Sequence, residues 1–394
     1  MKRLFAIILA AAMLLTMAAC SKSDGNDTDS PDSGAAAGET IKIGFAFPMS
    51  GSAAMAGNYS THGAQVIENE LNGKLDINGT EYDIEFVYMD TEGKEETTVN
   101  VYQRLIEEED VIAIIGPDSS KCALAAGPVA QNAGCPAVST FATNTAVTEV
   151  GDYIFRACFL DPFQGQVAAT YCWDAGYRTA AIMFNNADAY AVGLKDAFIE
   201  NFEAKGGEVL AIEEYSGSDV KDYNVQLTKL AASNPDVVLF PNLNVELGLQ
   251  IQQARTAGIA CPIICGDSAD TPEVAEVAGS AIENVAYVSA FSAESTEPAA
   301  VEFVEAYTAL YPDELPNSNA ELTYEATRMV ITALQNAGEV SRAGVRDALA
   351  GITNLELPSG SMTMGEDRNP VKGAVIMQYG ADGVSHYVSS VTAE

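Results

Sequence analysis

The sequence predicts an α/β fold of two lobes, each a doubly wound, mainly parallel sheet covered by helices. Three observations carry this expectation. Short, nearly continuous apolar runs alternate with amphipathic segments at helical spacing along most of the chain. The alternation restarts once, after residues 153–157. Residues 41–394 also exceed the ~250–300 residues that one hydrophobic core accommodates.

The first series reads as a strand over 41–49, a helix over 59–72 with Ala64, Ile67 and Leu71 on one face, and a strand over 82–89. A helix over 95–109 turns Val99, Tyr102 and Leu105 or Ile106 inward. A fully apolar strand over 111–115 ends at Gly116-Pro117, and a short helix to Asn132 leads to a strand over 136–139. The second series places helices over 163–175, 190–205, 223–232 and 245–257. Strands over 179–184, 208–215, 236–240 and 262–265 interleave with them, each βαβ unit right-handed. Helices over 298–310, 321–337 and 342–350 come next, then short strands over 361–364, 374–379 and 384–391. That ending fits a chain that crosses back between the lobes to complete both sheets. The expected lobes are 41–158 plus 290–358 and 159–289 plus 359–394, joined by crossover strands.

The first residues stand apart. Lys2 and Arg3 precede an apolar run over 4–19 that ends at Ala18-Ala19-Cys20, which reads as a signal peptide over 1–20. The run falls short of the ~20 apolar residues of a spanning helix. Residues 21–40 are rich in Ser, Asp, Gly, Asn and Ala and read as a disordered tether with a reach of about 25 Å.

The formal charge is −35, from 55 acidic and 20 basic residues, which removes any electrostatic basis for binding nucleic acid or an anionic membrane. The charge favours solubility and says nothing of the ligand. Seven cysteines are present, and beyond Cys20 the other six match no zinc spacing. Cys261 and Cys265, read on one strand, would sit ~13 Å apart, too far for a disulfide. Most of the six read as small buried hydrophobes, with one long-range disulfide left open.

Catalytic signatures are lacking. There is no phosphate-binding Walker loop, no G-x-G-x-x-G after a strand and no H-E-x-x-H. His62 and His386 read as ordinary surface or boundary residues. Gly266-Asp267-Ser268 is similar to the nucleophile loop of trypsin-like proteases, but it follows a parallel strand and continues without further glycines. A serine nucleophile also needs an oriented base. No enzyme, cofactor or metal is expected.

Recognition should lie outside the carboxyl ends of the parallel strands. Gly116-Pro117-Asp118-Ser119-Ser120 sets hydroxyls and unpaired N–H groups at a helix N-terminus, an anion site, with simple N-capping by serine the alternative. Ser139-Thr140-Phe141-Ala142-Thr143-Asn144 follows the next strand of the same lobe. Convergent hydroxyl and N–H donors there suit a carboxylate better than a phosphate.

Several short pieces fall in one order along the chain. These are Ile41-Lys42-Ile43-Gly44 with Pro48-Met49-Ser50-Gly51, Gly57 and Gly63-Ala64; Ile115-Gly116-Pro117 with Ser119-Ser120; and Phe155-Arg156 with Asp161 and Gln164-Gly165. Ala254-Arg255 with Gly258, then Gly266-Asp267 with Asp270 and Pro272-Glu273, complete the set. Together they resemble the leucine/isoleucine/valine-binding protein family of type I periplasmic binding proteins, substrate-binding components of ABC transporters.

The resemblance implies a solute receptor that closes on an amino acid by hinge motion and delivers it, as a monomer, to ABC permease and ATPase subunits. It implies that Ser120 and Thr143 bind the amino-acid head group through their hydroxyls, assisted by backbone around Ser119, Phe141 and Ala142. It implies that Tyr190 closes over the ligand, that Asp267 or Asp270 faces the ammonium group, and that Tyr324 lines the cleft near the hinge. Ala56, Leu243 and Ala269 stand where relatives carry aromatic walls, which points to a branched-chain or larger hydrophobic amino acid. Thr16-Met17-Ala18-Ala19-Cys20 resembles the bacterial lipobox, with Met17 where leucine is more usual. It implies lipidation of Cys20 and anchoring on the extracytoplasmic face of a Gram-positive cell membrane. The alternative is a sensing protein for an amino-acid derivative or amide that feeds a receptor. That role would call for a membrane helix or an output domain, and neither reads from the sequence.

Overall fold

The computed structural model describes residues 40–217 and 219–391. The expected leader, Cys20 and the tether up to residue 39 lie outside them. The chain runs β1 (Thr40–Phe47), α1 (Ala54–Leu71), β2 (Lys74–Ile77), β3 (Thr80–Asp90), α2 (Glu95–Glu107), β4 (Ala113–Ile115), α3 (Ser120–Asn132), β5 (Ala137–Ser139), α4 (Ala146–Glu149) and β6 (Ile154–Arg156). It continues α5 (Asp161–Asp174), β7 (Thr179–Asn185), α6 (Ala189–Ala204), β8 (Glu208–Tyr215), α7 (Asn224–Ser233), β9 (Val237–Phe240), α8 (Asn244–Thr256), β10 (Ile263–Cys265), α9 (Pro272–Ala278) and β11 (Val285–Ser289). The last elements are α10 (Pro298–Leu310), α11 (Ser318–Asn336), α12 (Arg342–Ala350), β12 (Leu355–Leu357), β13 (Gly360–Met362), β14 (Ala374–Tyr379) and β15 (Ser385–Val391).

The first sheet has the order β2-β3-β1-β4-β5-β6 and is parallel except for β2. The second has the order β15-β14-β11-β10-β9-β7-β8, with β7 to β11 parallel. Strands such as β4 and β9 are apolar throughout and wholly buried, because helices cover both of their faces. One buried cluster runs from Ile43 and Phe45 through Phe155 to Ile182 and Val288, so the cores of the two sheets are continuous along one face.

Three features differ from the sequence reading. β2 and β3 form a hairpin across Asn78 and Gly79, at φ 52° and 83°. Asn-Gly is a strong two-residue turn signal. Helix α1 begins at Ala54, ahead of the expected residue 59; its N-cap Ala53 provides no side-chain cap that would mark the start. The terminal strands complete one sheet, where the sequence suggested both. β14 pairs antiparallel with β11, β15 pairs with β14, and β12–β13 is a separate hairpin. The edge at β6 is met instead by Arg368, which donates to the carbonyls of Thr148 (2.8 Å) and Ile154 (3.2 Å).

Where the chain passes between the sheets for the last time, Lys372 is buried against α11. Its ammonium pairs with the Glu325 carboxylate, which also accepts from Ser359 N at 2.9 Å. Burial alone would push Glu325 up, but the Lys372 charge overrides it and holds the carboxyl below its usual range. Glu321, one turn away and equally buried, is driven well up by burial and by the Glu325 charge.

Among the described residues no disulfide forms; five of the six cysteines are buried, and Cys261 is half-buried. No helix among them is long and apolar enough to cross a membrane.

Candidate ligand-binding cleft

A cavity of about 630 Å³ lies between the carboxyl ends of the two parallel sheets. The first lobe contributes Ala56, Asp118, Ser119, Lys121 and Phe141 to its walls; the second contributes Asp219, Leu243, Asn244, Ser268 and Thr271.

The loop after β4 depends on Gly116. Its φ is +107°, and a β-carbon there would lie 2.4 Å from the Ala46 carbonyl oxygen, so only glycine fits. Tyr102 Oη donates to the Gly116 carbonyl at 2.7 Å, and Ser139 Oγ donates to the Pro117 carbonyl at 3.0 Å, tying the loops after β4 and β5 together. Ser119 is the N-cap of α3 yet makes no capping hydrogen bond. Its hydroxyl is buried without a hydrogen-bond partner, beside the Cys122 thiol. Capping therefore does not consume this hydroxyl, and the amide groups of the first turn of α3 stay available to an anion.

The loop after β5 is held from behind. Arg156, fully buried, donates to the carbonyls of Ala142 (2.7 Å) and Asn144 (2.8 Å). Ser120 Oγ accepts from Asn144 N at 3.2 Å. Thr143 is fully buried, with its hydroxyl against the Asp161 carboxyl. Asp161 itself is pushed up to about 7 by burial and by Asp267 and Asp188, against the pull of Thr143 and Arg156. The two lobes meet here: Asn144 Nδ2 donates to the Ala189 carbonyl at 3.0 Å.

In the second lobe, Asn242 is gripped by Asn185 N, the Met183 carbonyl and Gln250 Oε1, each at 2.9 Å, which fixes the following Leu243–Asn244 turn. Tyr190 Oη donates to Asp267 Oδ1 at 2.7 Å. Burial pushes the Asp267 carboxyl up to about 6, against the hydrogen bonds from Tyr190 and Gln164. Asp118, enclosed by the cleft walls, is also pushed up to about 6 by burial.

Of the residues singled out from sequence, Ser119 and Phe141 lie on the cavity wall. Ser120, Ala142, Thr143, Tyr190 and Asp267 stand buried behind that wall, in the loops and helix starts that form it. Asp270 is elsewhere: its carboxylate accepts from Tyr287 Oη (2.9 Å), Ser289 Oγ (3.0 Å) and Ser318 N (2.9 Å), a latch between the second sheet and α11. Tyr324 does not line the cavity. Its ring packs 4.7 Å from that of Phe303, and its hydroxyl accepts from Arg328 at 2.8 Å. Ala269 is not a wall residue either, because the 3-10 turn at Asp267–Ala269 buries it in the second-lobe core; Ser268 takes that place.

The sequence reading missed Lys121, Asn244, Ser268, Thr271 and Asn319 on the walls. Asn244 and Ser268 follow parallel strands, so the strand-end rule already applied to Ser119 would have found them. Among the described residues no group of three or more His, Cys, Asp or Glu side chains is placed to hold a metal ion.

Two α/β lobes facing each other across an interlobe cavity define a bilobal solute-binding protein. The sequence profile of the periplasmic binding protein family matches residues 40–384, and the chain belongs to that family. An amino acid binding protein of Pseudomonas aeruginosa is 31% identical over 240 residues, 61% of this chain and 63% of that relative. The leucine-, isoleucine-, valine-, threonine- and alanine-binding protein of the same organism is 25% identical over 84% of this chain and 87% of its own length. The branched-chain amino acid transporter substrate-binding protein LivJ of Streptococcus pneumoniae, solved with isoleucine, superimposes with a TM-score of 0.83 at 31% identity, covering 90% of this chain and 99% of that one.

Proposed function

We propose that this protein is an extracytoplasmic receptor of an ABC importer that captures an amino acid between its lobes, and that it is not an enzyme. The observation that carries this reading is the uncapped N-terminus of α3, whose N-cap residue Ser119 stands on the wall of a cavity lined by both lobes. The solutes named for the relatives agree with it. In this reading Ser119, Ser120, Phe141, Ala142 and Thr143 hold the carboxylate end of the solute. Asp267, steadied by Tyr190, supplies the counter-charge for its ammonium group. Asp270 is a poor candidate for that role because structural donors already occupy its carboxylate. Small residues at Ala53 and Ala56 and a cavity of about 630 Å³ support a branched-chain or larger hydrophobic amino acid. Delivery is to permease and ATPase subunits, and the receptor acts as a monomer anchored through Cys20.

Calorimetric titration with the common amino acids tests the site. Ser120→Ala and Thr143→Ala should each weaken binding about ten- to a hundred-fold with the fold intact, the worth of one hydrogen bond to a charged group. Unchanged affinity in both variants would move the site elsewhere. For the anchor, Cys20→Ala should abolish incorporation of a labelled lipid precursor; wild-type protein that takes up no label would remove it.

A further inference from the structure

Three segments converge where the lobes meet: the start of α5 with Asp161 and Gln164, the start of α6 with Tyr190 and Gly193, and the turn after β10 with Gly266 and Asp267. A β-carbon at Gly193 would lie 2.5 Å from Asp161 Oδ2, so α6 makes room for that carboxyl only because residue 193 is glycine. Tyr190, one turn earlier on α6, donates to Asp267 Oδ1 at 2.7 Å. One helix start therefore seats both acids. From the first lobe, the Thr143 carbonyl accepts from Asp161 N at 3.0 Å.

Both carboxyls are buried and poorly compensated. Neither Asp161 oxygen has a hydrogen-bond partner, and Asp267 Oδ2 has none either. Among the described residues neither carboxyl joins an ion pair. Arg156, at the end of β6, acts on Asp161 but gives its N–H groups to the carbonyls of Ala142 and Asn144. Cys158, on the link to α5, is pushed up to about 12 by burial and stays neutral. Lys372, which also faces Cys158, is paired with Glu325. On α6, Asp188 accepts from Tyr190 N at 3.0 Å and adds negative charge, while the Tyr190 phenol stays neutral. Two carboxyls enclosed together without a cation of their own resist full ionisation, because burial and like charge both favour a retained proton. Asp161 is pushed up to about 7 and Asp267 to about 6, with burial the first cause in each.

We infer that Asp161 and Asp267 act as one linked acid pair, which holds a proton while the site is empty and gives it up to bulk water when the ammonium of the solute arrives; this rests on the receptor reading above and adds to it a second acid and a released proton. The solute keeps all its N–H bonds. The bond that breaks is the carboxylic O–H, and the freed carboxylate supplies the second negative charge beside the ammonium. Capture is therefore proton-linked, and affinity climbs with pH until the pair is ionised without help.

Leucine is the probe, titrated calorimetrically in buffers of different ionisation enthalpy, which counts the protons released. Wild type should release about one proton per leucine at pH 6.5 and about a tenth of one at pH 8. Between pH 6 and 7 its affinity should rise about tenfold, and that of Asp161→Asn only about twofold. A purely structural role for Asp161 would shift affinity at every pH and leave the proton count alone. Infrared spectra of the empty proteins need no solute: wild type at pH 6.5 should show a protonated-carboxyl band that Asp161→Asn lacks. Leucine binding without proton release, or with equal release in Asp161→Asn, would overturn the inference. Failure of leucine to bind at all would count against the receptor reading, and the infrared band would still decide the pair, its absence from empty wild type overturning it.

Discussion

Lys372→Ala should destabilise the protein by about 3–5 kcal/mol, because it leaves the Glu325 carboxylate buried without its partner. Lys372 is fully enclosed, so no solvent path rescues the charge left behind. For a chain of this length the loss should lower Tm by on the order of 5 °C. The sign with pH follows from the directions of the two shifts. Glu325 is held below its ordinary 4.5, so its contribution is present above that value and fades as pH falls through the folded pKa. Lys372 is raised above 10.5, so its contribution is complete below that value and fades only as pH rises through the folded one. The penalty of the substitution should therefore be flat across the neutral range. Lys372→Met combined with Glu325→Leu should recover most of the stability, since a buried pair replaced by apolar groups of similar size is often neutral. Denaturant melts of the three proteins decide; a single-variant loss below about 1 kcal/mol would mean that water or a rearranged Glu321 screens the site.

Gly266→Ala should reduce solute affinity at least tenfold and stability by about 1–3 kcal/mol. A β-carbon at Gly266 would stand 2.0 Å from Tyr190 Oη and 2.5 Å from Leu194 Cδ2, so the phenol must leave Asp267. Tyr190→Phe isolates the hydroxyl, because it keeps the ring and removes the donor to Asp267 Oδ1. It should lose affinity while largely keeping stability. The raised Asp267 carboxyl also sets the pH sense. With its pKa pushed up to about 6, the group is charged above that pH, so affinity for an ammonium-bearing solute should rise as pH climbs through about 6. Calorimetry between pH 5 and 8 on wild type, Gly266→Ala and Tyr190→Phe would show it; wild-type affinity in both variants would remove Asp267 and Tyr190 from the site.

The fold was largely legible because its parallel strands are short apolar runs between helices of clear period, and that pattern survives without any tertiary information. The strand-end rule located Ser119 and Phe141 for the same reason. What stayed hidden depended on side-chain direction. α11 is buried on nearly every side, from Ser318 to Leu334, so its sequence carries no phase to say that Tyr324 turns toward Phe303 and away from the cleft. A 3-10 turn decides between Ala269 and Ser268, and such turns leave little periodic trace. The pairing of β14 with β11 joins segments some ninety residues apart, beyond the reach of any local signal.

The absence of cross-links among the described residues has a consequence for how the polypeptide matures. Nothing in the described fold waits on an oxidant or on a disulfide isomerase, so reducing conditions should not impede refolding. Burial pushes the thiols of Cys172 and Cys265 well up, which leaves almost no thiolate to enter exchange reactions at neutral pH. The same interior can thus form wherever the chain emerges, in an aerated or an oxygen-free environment, and a preparation made in the cytoplasm of a production host should carry the native packing.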